Sequence, residues 1–332
     1  MESAKKLNQI PIEKKKKKKV NLNLSNFMVY IIFVIVMIAF ALLFGNTFFS
    51  VNNILNIAKQ TAMISIMAVA STFVIGAGEI DLSVGSTVAL SSIIVALVLQ
   101  STNNILLAVV AGMVLGAAVG LINGVLVTKV RIPSFLVTLG MLSIISGAAM
   151  WTTNTAAVPI TNDTFNFIFG LGQIGPVPIL LIWTLVALAI GYFALTKIPF
   201  GKKVLSVGGN KLSAKYTGIN VDRITIAVFV LSGIAASFAG MLYAGRVETA
   251  RYTFGQGDEL SVIAAVILGG TSLTGGVATV VGSVIGSLLM GMINNGLIIG
   301  GLSISQQMMV RGAIIILFVA LSSLGNRKKV KN

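Results

Sequence analysis

Glu79 and Asp81 stand two residues apart inside Gly76-Ala77-Gly78-Glu79-Ile80-Asp81-Leu82-Ser83-Val84-Gly85, a stretch set in an otherwise apolar region. A carboxylate at membrane depth costs about 2.5–3.5 kcal/mol on insertion scales, so two of them call for a reason. Three kinds of chemistry fit: hydrogen bonding to a solute, ion binding, or a proton relay. On a helix, residues two apart do not share a face; on an extended break they can. Capping is the competing role. Asp81 or Ser83 can accept backbone N–H groups at a helix start, where the helix dipole also favours negative charge. Gly85 and its neighbouring glycines let the helix break, and such breaks in carriers sit where solute crosses.

A second segment carries similar spacing. Gly269-Gly270-Thr271-Ser272-Leu273-Thr274-Gly275-Gly276 resembles residues 78–85, with Leu82 over Leu273 and Gly85 over Gly276. Residues 121–126 (Leu-Ile-Asn-Gly-Val-Leu) likewise resemble 293–298 (Ile-Asn-Asn-Gly-Leu-Ile). If the repeat unit holds five spans, the second copy is inverted, and a solute path is expected where the copies meet. Candidates for path or gate are therefore Glu79, Asp81, Ser83, Gly85, Asn123, Gly269, Gly270, Thr271, Ser272, Asn294 and Asn295. For the three asparagines, hydrogen bonding between helices is the commoner role.

These residues must be positioned by helices in a membrane. The chain has 332 residues, 56% hydrophobic and 10% charged, with a mean hydropathy of +0.97. Phe27 to Phe44 is an uncharged run that at about 1.5 Å per residue nearly crosses a hydrocarbon core of roughly 30 Å. Continuous apolar blocks, not alternation, exclude a lipid-facing barrel. The fold class is an all-α polytopic membrane protein, with spans expected near 27–45, 55–77, 83–100, 105–128, 133–152, 177–196, 224–244, 259–271, 276–299 and 307–324. A cleavage triplet at Ala39-Phe40-Ala41 lies inside an apolar run too long for a signal segment.

Charge sets the orientation. With the amino terminus inside, segments 1–26, 129–132, 197–223 and 325–332 face the cytoplasm and carry 20 of the 24 Lys and Arg. Lys59, Arg246, Arg251 and Arg311 remain for the other side. That asymmetry matches the positive-inside rule, an even number of spans and cytoplasmic termini. The six lysines Lys14 to Lys19 read as part of a disordered cytoplasmic tail (1–26) rather than as a nucleic-acid or anionic-lipid patch. Residues 27–324 form the membrane domain, and 325–332 a basic cytoplasmic end.

Segment 197–223 is long for a linker in a compact bundle, and such loops are usually functional. Gly208-Gly209-Asn210 signals a turn, and Leu212 to Thr217 can form a short helix ended by Gly218. That helix is a handle by which a partner can move membrane helices. No cysteine or histidine is present, which removes disulfides, thiolate metal sites and the commonest proton shuttle. No phosphate-cradling loop, Asp-rich metal motif or nucleophile elbow occurs. The chain is not expected to be an enzyme.

Three motifs resemble the permease subunits of ribose/xylose-type (carbohydrate-uptake class 2) sugar ABC importers: Gly78 to Ser86; Gly208-Gly209-Asn210 with Gly218-Ile219-Asn220-Val221; and Asp258-Glu259-Leu260 with Ile263 to Leu273, closed by Gly275-Gly276. The resemblance covers residues 55–324. It implies a bacterial-type inner-membrane subunit that pairs with a second permease subunit, identical or paralogous, and accepts a monosaccharide from an extracytoplasmic binding protein. It also implies a separate cytoplasmic ATPase that holds ATP and Mg, with no cofactor in this chain and no nucleic acid among its partners. The ATPase is expected to seat on Gly208, Gly209, Asn210, Ala214, Gly218 and Ile219. Many relatives carry Gly-Gly-Ile-Asp-Leu-Ser where this chain has Gly78-Glu79-Ile80-Asp81-Leu82-Ser83. A nucleoside, autoinducer-2 or branched-chain amino-acid permease is the nearest alternative; an ion-coupled carrier using Glu79 and Asp81 is a further one.

Overall fold

The computed structural model describes residues 28–330. The lysine-rich segment 1–26 and the last two residues of the basic segment 325–332 lie outside the described residues. The helices in chain order are α1 (Met28–Phe44), α2 (Asn46–Phe49), α3 (Val51–Gly76), α4 (Val84–Thr102), α5 (Ile105–Val125), α6 (Ser134–Thr153), α7 (Asp163–Asn166), α8 (Ile179–Thr196), α9 (Pro199–Gly209), α10 (Lys211–Tyr216), α11 (Val221–Val247), α12 (Asp258–Leu268), α13 (Val280–Ile299) and α14 (Ile304–Val330). Two π turns, Leu126–Val130 and Phe167–Leu171, extend α5 and α7. Among the described residues, strands are confined to two short pairs, β1 (Val158–Pro159) with β4 (Thr249–Ala250) and β2 (Gln173–Ile174) with β3 (Val177–Pro178), both antiparallel.

The chain is thus an all-α, multi-pass membrane protein. Among the described residues, seven helices are long and apolar enough to cross a membrane: α3, α4, α5 with its π extension, α6, α8, α11 and α13. The other three of the ten expected spans fall on α1, α12 and α14, and α12 has only 11 residues, about 16 Å or half a hydrocarbon core. Helix starts follow side-chain caps: Ser50, Asn104, Asn210, Asn220 and Thr279 each accept a backbone N–H from the first turn.

Small residues set how closely the helices approach. Gly112, Gly116, Gly120 and Gly124 recur every four residues and form one stripe on α5. A Cβ on Gly116 would fall on the Gly233 carbonyl of α11, and one on Gly120 on the Phe229 carbonyl. The two backbones therefore touch, as in other glycine-striped membrane helices. α3 and α13 meet differently, through polar rungs. Asn53 and Asn295 exchange amide hydrogen bonds at 3.0 and 2.9 Å, Ser65 and Ser287 hydroxyls lie 2.6 Å apart, and Thr72 donates to Ser283 at 2.7 Å. These rungs satisfy hydroxyls and amides where water is excluded. α3, α4 and α11 form the buried centre, whereas α5, α6 and α8 present apolar side chains outward.

Candidate functional site

α3 ends where the first motif begins. Gly78 adopts a left-handed φ of 78°, its N–H donates to Ile75 and that of Glu79 donates to Val74. This is a Schellman ending, and glycine is the residue that takes the left-handed position without strain. The chain then runs extended to α4. Ser134 of α6 accepts from the Ile80 N–H at 3.2 Å, and the Thr138 hydroxyl donates to the Ile80 carbonyl at 3.3 Å. Those two bonds hold the break open between the helices.

The two acids diverge from this break. Glu79 is 5% exposed and accepts from Lys211 Nζ, the first residue of α10, at 2.5 Å. Asp81 points into the bundle. Its Oδ1 accepts from the Ser83 N–H at 3.0 Å and the Ser83 hydroxyl at 2.6 Å; its Oδ2 accepts from Ser232 of α11 at 2.8 Å. Ser83 in turn accepts from the Asn123 amide of α5 at 2.8 Å. Asp81, Ser83, Asn123 and Ser232 therefore form one buried hub joining α4, α5 and α11, with Asp81 satisfying a backbone donor at the start of α4. Gly85, one residue into α4, lies against Gly255 and the Glu259 carboxylate, with no room for a Cβ.

The segment 197–223 folds as two helices. α9 opens with Pro199 at its first turn and closes on Gly208 and Gly209, so the turn signal at 208–210 marks a helix end. Asn210 caps α10, Ala214 is buried, and α10 ends on Gly218 (φ 82°), with the Ile219 N–H donating to Ala214 at 3.1 Å. A Cβ on Gly208 would fall on the Gly76 carbonyl, while one on Gly209 would find its nearest neighbour, Gly276, at 3.9 Å. The Gly276 N–H donates to that same Gly76 carbonyl at 3.0 Å. Backbone thus meets backbone where α9, the end of α3 and the 269–279 turn converge.

That turn accounts for the second motif. Gly269 packs against Gly282, Gly270 takes φ 92° in another Schellman ending, Thr271 accepts from the Thr279 N–H at 3.2 Å, and Ser272 pairs with the Thr274 hydroxyl at 2.9 Å. The likeness between 78–85 and 269–276 reflects this shared helix-ending chemistry, in a register where Gly78 corresponds to Gly270. α10 and α13 end in the same way at Gly218 and Gly301, so the motif alone does not require a repeat. Asn295 sits in the α3–α13 ladder, and Asn294 accepts from Arg311 at 2.8 Å.

The structure therefore gathers Glu79 with Gly208 and Gly209, and Asp81 with Ser83 and Asn123, but leaves Asn294 and Asn295 elsewhere. It adds Lys211, Ser232, Ser134, Thr138 and Gly76. The sequence carried no local signal for Lys211, which lies 132 residues from Glu79. Among the described residues, no group of three or more acids, histidines or cysteines is gathered that could hold a metal ion.

An apolar helical bundle with glycine-broken helices, a buried polar hub and a two-helix knob at one end is the architecture of a membrane permease. The chain belongs to the family described as branched-chain amino acid transport system / permease component, whose family model matches residues 53–319. The ribose import permease protein of Escherichia coli (strain K12) is 39% identical over 298 residues, covering 88% of this chain and 92% of the relative. The L-arabinose ABC transporter permease protein of Azospirillum brasilense is 39% identical over 272 residues (82% and 80%), and the D-allose transport system permease protein of Escherichia coli (strain K12) is 36% identical over 297 residues (89% and 90%). No solved structure matches the chain.

Proposed function

We propose that this chain is the permease subunit of an ABC importer, carrying a monosaccharide of the ribose, arabinose or allose kind across a bacterial-type inner membrane. The observation that carries the reading is the knob. α10 exposes Leu212 (60%) and Tyr216 (82%), four residues apart on one face, while its opposite side holds Glu79 through Lys211. A partner seated on that face can pull on the break between α3 and α4. The partner is a separate cytoplasmic ATPase, and sugar arrives from an extracytoplasmic binding protein. ATP and Mg belong to the ATPase.

The reading includes cytoplasmic termini, ten crossings in two inverted five-helix halves, and a second permease subunit completing the path. In it, Gly208, Gly209, Asn210, Ala214, Gly218 and Ile219 couple to the ATPase. Glu79, Asp81, Ser83, Gly85 and Asn123 line or brace the gate, and Gly269 to Ser272 shape the turn that meets it. Alternating access then follows from two helix arrangements biased by the ATPase at one end and the loaded binding protein at the other. Sugar uptake into sealed vesicles holding the assembled complex tests this. ATP-dependent uptake that requires the binding protein is expected. Uptake driven by an ion gradient through this chain alone would replace the reading with an ion-coupled carrier.

A further inference from the structure

Apart from the hub, a second polar cluster lies at the start of α12. The segment between β4 and α12 dips inward until Gly255 touches Gly85, and α12 opens with Asp258 and Glu259. Tyr243 of α11 donates to Asp258 Oδ2 at 2.6 Å and stacks on Phe254, ring centres 5.4 Å apart. Glu259 lies beside Gly85. Arg246 of α11 and Arg311 of α14 lie within electrostatic reach of Tyr243, and Arg311 also within reach of Asp258. Arg311 is tethered to Asn294 of α13.

Two features set this cluster apart from a structural ion-pair network. First, among the described residues none of the four charges makes an ion pair within 4 Å, although both signs are present in equal number. Second, Asp258, Glu259, Arg246, Arg311 and Asn294 are all half-buried, so each keeps part of its side chain or backbone accessible. Charges kept apart in this way retain hydrogen-bonding capacity that a polar guest can use.

We propose that Asp258, Glu259, Arg311 and Asn294 form a contact station for the solute in transit, and that its guest is a neutral polyhydroxylated molecule, a monosaccharide. The carboxylates accept from sugar hydroxyls and the guanidinium donates to hydroxyl or ring oxygens. Asp258, Glu259, Arg311 and the neighbouring Arg246 together carry no net charge, which disfavours an ion and suits a neutral guest. α12 begins where α4 begins, so the station adjoins the break that α10 holds. Rocking of the bundle would change access to it. The inference rests on the importer reading.

The test is uptake of radiolabelled D-ribose, L-arabinose and D-allose by the assembled complex in proteoliposomes, with Asp258→Asn, Glu259→Gln and Arg311→Gln. Loss of a charge-assisted hydrogen bond is expected to slow the best sugar on the order of tenfold and to change the ratio of rates among the three sugars. A purely structural role would slow all three alike. Size-exclusion chromatography of the complex monitors assembly; for any variant that does not assemble, Glu259→Asp and Asn294→Ala are read in the same way. Unchanged ratios in variants that assemble, with wild type still importing sugar, would overturn the station alone. A wild-type complex that imports leucine and no sugar would overturn the importer reading beneath it.

Discussion

Lys211 Nζ lies 2.5 Å from Glu79 Oε1, so the first residue of α10 is tied to the turn that ends α3. The pair is asymmetric, with Lys211 54% exposed and Glu79 6% exposed at the side chain. Removing the cation strands a buried carboxylate, whereas removing the acid leaves a lysine that can turn to water. Lys211→Met is therefore expected to destabilise the protein more than Glu79→Gln, with the double variant recovering part of the loss. The coupling is expected to be about 1–2 kcal/mol after discounting for the solvated lysine. Thermal unfolding of the four proteins in detergent measures the cycle; additive losses would show that the contact carries no energy.

Gly208 and Gly209 are neighbours with different tolerances. A Cβ at 208 collides with the Gly76 backbone, but one at 209 meets only ordinary contact at 3.9 Å. Gly208→Ala is expected to pull α9 from α3 and uncouple ATP hydrolysis from uptake, while Gly209→Ala stays near wild type and bulkier Gly209→Leu or Ala214→Leu uncouples. Hydrolysis and uptake measured on the same proteoliposomes give the ratio. Equal behaviour of Gly208→Ala and Gly209→Ala would remove the backbone contact from the coupling route.

Asp81 is the acceptor for three donors, the Ser83 N–H, the Ser83 hydroxyl and the Ser232 hydroxyl. Asp81→Ala leaves these donors unpaired in a buried site and is expected to cost about 1–3 kcal/mol. Asp81→Asn keeps one carbonyl oxygen for the Ser83 N–H, so it is expected to fold and to show reduced transport. Melting temperature and uptake, read together, separate the two effects. A fully active Asp81→Asn would make the charge dispensable.

α5 and α11 touch through glycine. Gly116→Leu is expected to force the helices apart at a cost of about 1–3 kcal/mol or more, whereas Gly140→Leu on α6, which faces open space, should leave the melting temperature nearly unchanged. Equal shifts for both would contradict the packing described for the pair.

Helix positions were legible from the sequence because apolar runs and positive loops are local signals. The expected span at 83–100 is α4 (84–102), and that at 133–152 is α6 (134–153). Gly218 likewise announced the end of α10. The partners of the acids were not legible. Lys211 is 132 residues from Glu79, and Ser232 is 151 residues from Asp81, so no local pattern links them. α9 was missed because its glycines read as a turn; they are its last two residues, kept small by the backbone of Gly76. The dip before α12 was equally hidden. Only the packing of Gly85 on Gly255 shows that Asp258 and Glu259 start beside the first turn of α4.

The central claim is that α10 receives the ATPase. The chain contains no cysteine, so Tyr216→Cys introduces a unique thiol on the exposed face of α10. A benzophenone maleimide attached there, irradiated in the assembled complex, should give an adduct between this chain and the ATPase. No adduct from position 216, with an efficient one from a probe at Thr155 near the opposite end of α6, would contradict the account.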